Sequence, residues 1–292
     1  MKSITSVLVG CFIVSTLLVT SCKKENSVQS PTVTEEESQA ISEENAAADA
    51  EFDEVTEIAL TADADLEIAA SEQNETTTVS GSRTHIFREL AFRLGACTEI
   101  TVSGDTFPKT VTINYGDGCL CRDGKFRKGA VILHFTGPLR RPGSVVTVTL
   151  RDYFVNRVHI EGIKTITNLS AGGAIKYSVK IEEGRITWPN GRGFTYVGSR
   201  TVSQISGTDT RTITDDIYEI QGRNQTVYAN GVVVVKNTET PLIKKISCHW
   251  LVQGILKIKI NDRTLFINYG NGDCDNKAIV SWAGGEKEIT LH

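Results

Sequence analysis

Thr110-Val111-Thr112-Ile113-Asn114-Tyr115 alternates strictly, with Val111, Ile113 and Tyr115 on one side of an extended chain and the threonines and Asn114 on the other. Such a stretch is a strand with one dry face and one wet face. The same period recurs on either side of it. Tyr177, Val179 and Ile181 alternate with Ser178, Lys180 and Glu182, and Leu256, Ile258 and Ile260 alternate with Lys257, Lys259 and Asn261. Between such runs, Asp117-Gly118, Asp123-Gly124, Asn190-Gly191, Asn230-Gly231, Asn271-Gly272 and Gly284-Gly285 supply the residues that accept positive φ in tight turns. Strands joined by short turns pair with their chain neighbours. The pattern therefore predicts an all-β body over 81–292, a large antiparallel meander of about 10–13 strands in a curved sheet or sandwich. Two similar halves, near 97–170 and 175–292, are one way to divide it. Residues 82–94, with Ile86, Leu90 and Phe92 among basic side chains, fit either a short helix or a lead-in strand.

The formal net charge of -4 over 292 residues conceals two regions of opposite sign. Residues 23–80 hold 16 acidic and 2 basic side chains, and residues 81–292 hold 19 acidic and 28 basic ones. An acidic arm precedes a basic body. The arm is poor in large apolar residues, but Phe52, Val55, Ile58 and Ala59 recur at helical spacing, so a helix over 42–70 is expected within it. A lone helix is marginal in water. Two readings follow for 22–80: a solvated acidic tether, or an arm whose apolar stripe and carboxylates dock on the basic body. Either way the all-β body is preceded by a short N-terminal arm, helical or disordered.

The first residues concern location. Met1-Lys2 gives a positive start, 7–18 is an apolar run, and Val19-Thr20-Ser21-Cys22 closes it. That ending resembles a bacterial lipobox. It makes 1–21 a signal peptide and Cys22 the acylated residue, with membrane lipid as its partner; an uncleaved membrane helix is the alternative. Lys23-Lys24-Glu25 lacks an Asp after the cysteine and resembles a surface-export start, so an outer-membrane lipoprotein is expected, facing either the periplasm or the medium.

Two segments echo each other. Cys97-Thr98-Glu99-Ile100-Thr101-Val102 leads through a turn to Thr112-Ile113-Asn114-Tyr115-Gly116-Asp117-Gly118-Cys119. Cys248-His249-Trp250-Leu251-Val252 leads to Leu265-Phe266-Ile267-Asn268-Tyr269-Gly270-Asn271-Gly272-Asp273-Cys274. In the second, a turn near Asn261-Asp262-Arg263 brings Cys248 toward Cys274, within the roughly 7 Å Cα separation a disulfide requires. In the first, Cys97 approaches the 116–121 loop. Analogy with the second hairpin pairs it with Cys119 and leaves Cys121 as a thiol, while a Cys97–Cys121 bridge stays open. An oxidising compartment favours both bridges, each contributing about 3 kcal/mol in the entropic account.

Phe107-Pro108-Lys109-Thr110-Val111-Thr112-Ile113-Asn114-Tyr115-Gly116 with Cys119, Tyr153-Phe154-Val155-Asn156, Glu161-Gly162-Ile163-Lys164-Thr165-Ile166-Thr167-Asn168, and Tyr269-Gly270-Asn271-Gly272-Asp273-Cys274 together resemble a family of β-rich lipoproteins of Bacteroidota. The resemblance spans most of 97–291. It implies an exported β-rich lipoprotein and brings no activity with it. Cys121 departs from the family's usual single cysteine in that loop.

Catalytic markers are sparse. His85, His134, His159, His249 and His292 are scattered, and the neighbours in Glu182-Glu183 and Asp215-Asp216 project to opposite faces of a strand. Cys119-Leu120-Cys121 with His134 or His249 offers too few ligands for zinc. Asp117, Asp123, Asp273 and Asp275 sit in Gly-rich loops and form a candidate oxygen-ligand site, against the plainer reading that Asp favours turns. No cofactor is expected. The leading functional expectation is non-catalytic binding of a glycan or an envelope protein, with Trp188, Tyr196, Tyr228, Trp250 and Trp282 as stacking rings. A scaffold subunit and a carbohydrate-active or other hydrolase are the alternatives. Export disfavours nucleic acid as a partner, and the oligomeric state is left open.

Overall fold

The computed structural model describes residues 31–72, 86–210 and 212–291. The leader 1–21, Cys22, His85 and His292 lie outside them. Two helices precede thirteen strands: α1 (Glu35–Glu72), α2 (Arg88–Leu94), β1 (Glu99–Ser103), β2 (Lys109–Leu120), β3 (Phe126–Phe135), β4 (Val145–Val155), β5 (Val158–Asn168), β6 (Lys176–Thr187), β7 (Gly193–Ser206), β8 (Ile217–Tyr228), β9 (Val233–Lys245), β10 (Gln253–Ile260), β11 (Arg263–Asn271), β12 (Lys277–Trp282) and β13 (Gly285–Thr290). The strands form one sheet in chain order, every neighbour antiparallel, with β1 and β13 at its two ends. The expected meander is therefore present as a single curved sheet that does not close into a barrel. No break separates 97–170 from 175–292, because β5 pairs with β6 from His159–Thr187 to Asn168–Tyr177.

The acidic segment departs from a tether. Residues 35–72 form a 38-residue helix, longer than the 42–70 expected and integral to the fold. It starts on a capping box: the Thr34 amide donates to Glu37 Oε2 at 2.8 Å, and the Glu37 amide donates to Thr34 Oγ1 at 3.2 Å. From Val55 to Leu66 every residue is buried, so the centre of α1 meets protein on all sides. Its partners lie on strands from β3 to β13, including Arg127, Lys164, Arg200, Lys236 and Lys287. Only a sheet curling around the helix can present all of them. The ambiguous 82–94 stretch resolves, within the described residues, as the short helix α2.

Bulges produce the curl. The β3–β4 register slips between Lys128 and Ala130, at Gly129. That residue has φ 84° and lies so near β4 that an added Cβ would stand 2.0 Å from the Asp152 carbonyl oxygen. Only glycine permits this approach. Facing inward, Val111, Val131, Val148, Ile166 and Ile258 bury fully beside Phe52, Ile58 and Ala59 of α1 and make one continuous core.

Candidate functional site

Inward positions on the strands are not all apolar. Arg127 on β3, Lys164 on β5, Arg200 on β7 and Lys236 and Lys244 on β9 occupy the buried phase of their strands. An unpaired charge there would be prohibitive, and α1 supplies the counter-charges. Asp49 Oδ1 accepts from Tyr196 OH at 2.7 Å, Lys236 Nζ at 2.8 Å and Asn224 Nδ2 at 2.9 Å, and lies 3.0 Å from Arg200 NH2. Arg200 NH1 also donates to both oxygens of Asp53, at 2.5 and 2.6 Å. Glu57 pairs with Lys244 at 2.8 Å and with Arg93 of α2 at 2.7 Å. Glu54 joins Arg127 and, at 3.1 Å, Lys125; Glu51 meets Lys125 at 2.8 Å.

These contacts decide the charge states. Burial alone would raise the Asp49 pKa, but Lys236 and Arg200 outweigh it and hold the carboxyl below its ordinary range. Lys244 and Arg93 do the same for Glu57 against its own burial. Lys164 donates to the Phe52 carbonyl and to Thr56 Oγ1, and its burial outweighs the attraction of Asp53 and lowers its pKa to about 7.

Beside α1 the sheet leaves a cavity of about 650 Å³, within the range of small-molecule sites. On one side lie α2 and the loop through Asp123 and Lys125; on the other lie β13 and Leu291. The cavity is thus lined by α1, α2, the 123–125 loop, inward residues of β6 to β9 and the C-terminal strand β13. Its inner wall is apolar, with Ile58 and Leu60 of α1, Val179 of β6, Val202 of β7 and Tyr218 and Ile220 of β8. Its mouth is marked by Phe92, 65% exposed, and by Lys287 and Glu288. Asp53, Glu54, Glu57, Lys125, Arg200 and Lys244 also line it, each already engaged in the ion pairs between α1 and the sheet.

Of the residues singled out from sequence, the four cysteines expected to bridge do so in the expected pairs. Cys97 bonds Cys119 across a Cα separation of 5.6 Å, Cys248 bonds Cys274 across 5.3 Å, and Cys121 is a buried free thiol. The four loop aspartates do not gather. Asp123 is bound to Arg127 at 2.6 Å, Asp275 accepts the Lys277 amide in a turn at 2.9 Å, and Asp117 and Asp273 are exposed. Among the described residues no group of His, Cys, Asp and Glu has the arrangement of a metal site. The stacking rings are also mostly spent. Tyr196 and Tyr228 are buried with their hydroxyls bonded to α1, and Trp188 packs on the core. Trp282 donates to Glu35 at 2.7 Å, while Trp250 lines the cavity beside Lys125. His134 is exposed and bonded to Thr110, and His159 stacks on Phe154. Asp215 and Asp216 diverge as their adjacency requires, the first exposed and the second buried against Gln204 and Tyr218.

What the residue-by-residue reading missed was the inward cations. Their signal was present: Lys236 is in step with Val232 and Val234, Arg200 with Tyr196 and Val202, and Lys164 with Ile160 and Ile166. A basic residue in apolar phase on a strand demands a buried acid elsewhere in the chain. The fold and site define a helix-filled β meander with an ion-paired interior and a largely apolar cavity. No family model, curated protein or solved structure matches the chain. No described helix is long and apolar enough to cross a membrane.

Proposed function

We propose that the protein is an outer-membrane lipoprotein of the Bacteroidota type, acylated at Cys22, whose body binds a small and largely apolar ligand without transforming it. The observation that carries the binding reading is the cavity of about 650 Å³ walled by Ile58, Leu60, Val179, Val202 and Ile220. Most of its charged side chains are engaged in ion pairs, and among the described residues Asp49 Oδ2 and Glu89 Oε1 are buried oxygens left without a partner, so most of the surface left for a guest is hydrocarbon and ring. A glycan would need open ring faces and unengaged hydrogen-bonding groups; four of the five candidate rings are occupied in the core or by α1. The anchor reading draws on the leader and Val19-Thr20-Ser21-Cys22. Pro31, whose carbonyl accepts from Asn261, is nine residue steps beyond Cys22, so the acylated cysteine reaches at most about 30 Å from the β10–β11 turn. That tether would keep the body close to the bilayer. The scaffold alternative would use β13 as a pairing edge, but Glu286-Lys287-Glu288 give that strand the charges that discourage edge pairing.

Titration of the delipidated protein with a fluorescent fatty-acid analogue tests the binding reading. Saturable binding is expected, weakened at least ten-fold by Ile220→Trp, which fills the cavity, while the variant keeps a cooperative thermal transition. Binding that is absent, or indifferent to the filled cavity in a folded variant, contradicts it.

A further inference from the structure

Three cysteines lie together at the first hairpin, whereas the matching second hairpin holds only its bonded pair. Cys119 is the last inward residue of β2, and Cys121, two positions on, faces the same way. Their sulfurs are 3.9 Å apart, close to contact for two sulfur atoms. Cys119 and Cys121 are buried, and Cys97, the other half of the disulfide, is exposed. The third thiol therefore stands next to the buried cysteine of a bond whose other cysteine is exposed.

We propose that Cys97, Cys119 and Cys121 form a thiol–disulfide exchange site that moves a reactive thiol from the interior to the surface. The Cys121 thiolate attacks Cys119 Sγ. A Cys119–Cys121 bond forms as the Cys97–Cys119 bond breaks, and the electron pair leaves on Cys97 Sγ, which is protonated by water. One disulfide and one thiol exist before and after, so no oxidant or reductant is consumed. The released Cys97 then reacts at the surface with a disulfide-bearing partner, forming a mixed disulfide and expelling the partner's other sulfur as a thiolate.

Local chemistry supports the direction. Burial raises the Cys121 pKa, which makes its thiolate the stronger nucleophile once formed, and the Arg127 guanidinium beside it favours that thiolate. Among the described residues Arg127 Nε has no hydrogen-bond partner. Asp123 and Glu54, both bound to Arg127, oppose ionisation of the thiol, so the thiolate is a minor species and exchange is slow. The departing sulfur belongs to an exposed residue, and access of water to it favours release.

Tryptic cleavage after Arg93, Lys109 and Arg122 separates Cys97 from the peptide holding both Cys119 and Cys121. Full-length oxidised protein incubated at pH 8 with a maleimide, then mapped without reduction, should carry the label on Cys97 with an internal bond in the Cys119 peptide. Cys121→Ser should cut Cys97 labelling at least ten-fold, with Cys248–Cys274 intact in both proteins as the internal control for folding. Labelling of Cys121 with Cys97–Cys119 intact, no labelling of either, or undiminished Cys97 labelling in Cys121→Ser each overturns the proposal.

Discussion

Asp49 and Asp63 belong to the same helix, and both are almost wholly buried, at 4% and 3% exposure, yet their environments pull them in opposite directions. Asp49 faces Lys236 and Arg200 across the concave sheet and is held ionised. Asp63 receives the Leu139 backbone amide at 2.7 Å; burial there outweighs that bond and raises its pKa to about 7. Asp65, one position past the next residue, caps α2 by accepting the Glu89 and Leu90 amides at 3.2 and 2.9 Å, and burial lifts it to about 6. The two stretches of α1 therefore use one residue type for two tasks. Around Asp49 and Glu57 carboxylates neutralise buried cations and set the register of helix against sheet. Around Asp63 and Asp65 they satisfy backbone donors that nothing else reaches.

The largest effect expected from this contrast falls at Asp49. Asp49→Asn leaves Lys236 and Arg200 without that charge in a dry interior and should cost about 3–5 kcal/mol by denaturant unfolding. Adding Lys236→Met should recover roughly half of the loss, since the stranded cation is then gone. A loss under about 1 kcal/mol would mean that water reaches the network and the pairs are weak.

At Asp63 the effect is smaller and lies in its pH dependence. Its folded pKa of about 7 lies above the unfolded value of 3.8, so the native state binds the extra proton between those limits. The stability contributed by that proton is fully present below about pH 4 and is lost as pH rises through 7. Asp63→Asn keeps an acceptor for the Leu139 amide and abolishes this titration. Relative to the wild type, the variant should gain stability between pH 5 and pH 7.5. A difference that is flat across that interval would show Asp63 to be solvated.

Much of the architecture was legible from period and punctuation. The alternation in 110–115, 177–182 and 256–261 falls on β2, β6 and β10, and the Asn-Gly and Asp-Gly pairs fall at turns or bulges. The Cys248–Cys274 bridge followed from antiparallel pairing and Cys97–Cys119 by analogy with it, while the sequence alone left Cys97–Cys121 open. The burial of α1 was harder to see. Its apolar stripe is thin, and a helix surrounded by a sheet must satisfy contacts on every side, so no single amphipathic face announces it. The decisive pattern was divided between distant segments, acids at 49–57 and cations in apolar phase on β3 to β9, and neither half explains itself alone. The cavity was not legible at all, because its lining is drawn from α1, α2 and strands far apart in the chain. The aromatic residues misled for a related reason: Tyr196 and Tyr228 are amphipathic, and their hydroxyls face the helix rather than solvent.

The central claim is that α1 is locked inside the curved sheet through its carboxylates. Hydrogen exchange of the intact chain, followed on peptides covering 45–66, addresses it directly. Amides there should exchange only at the rate of global unfolding, alongside those of β7 and β8, and Asp49→Asn should accelerate both together. Exchange within seconds at 45–66 while β7 and β8 stay protected would place the helix outside the sheet and contradict the account.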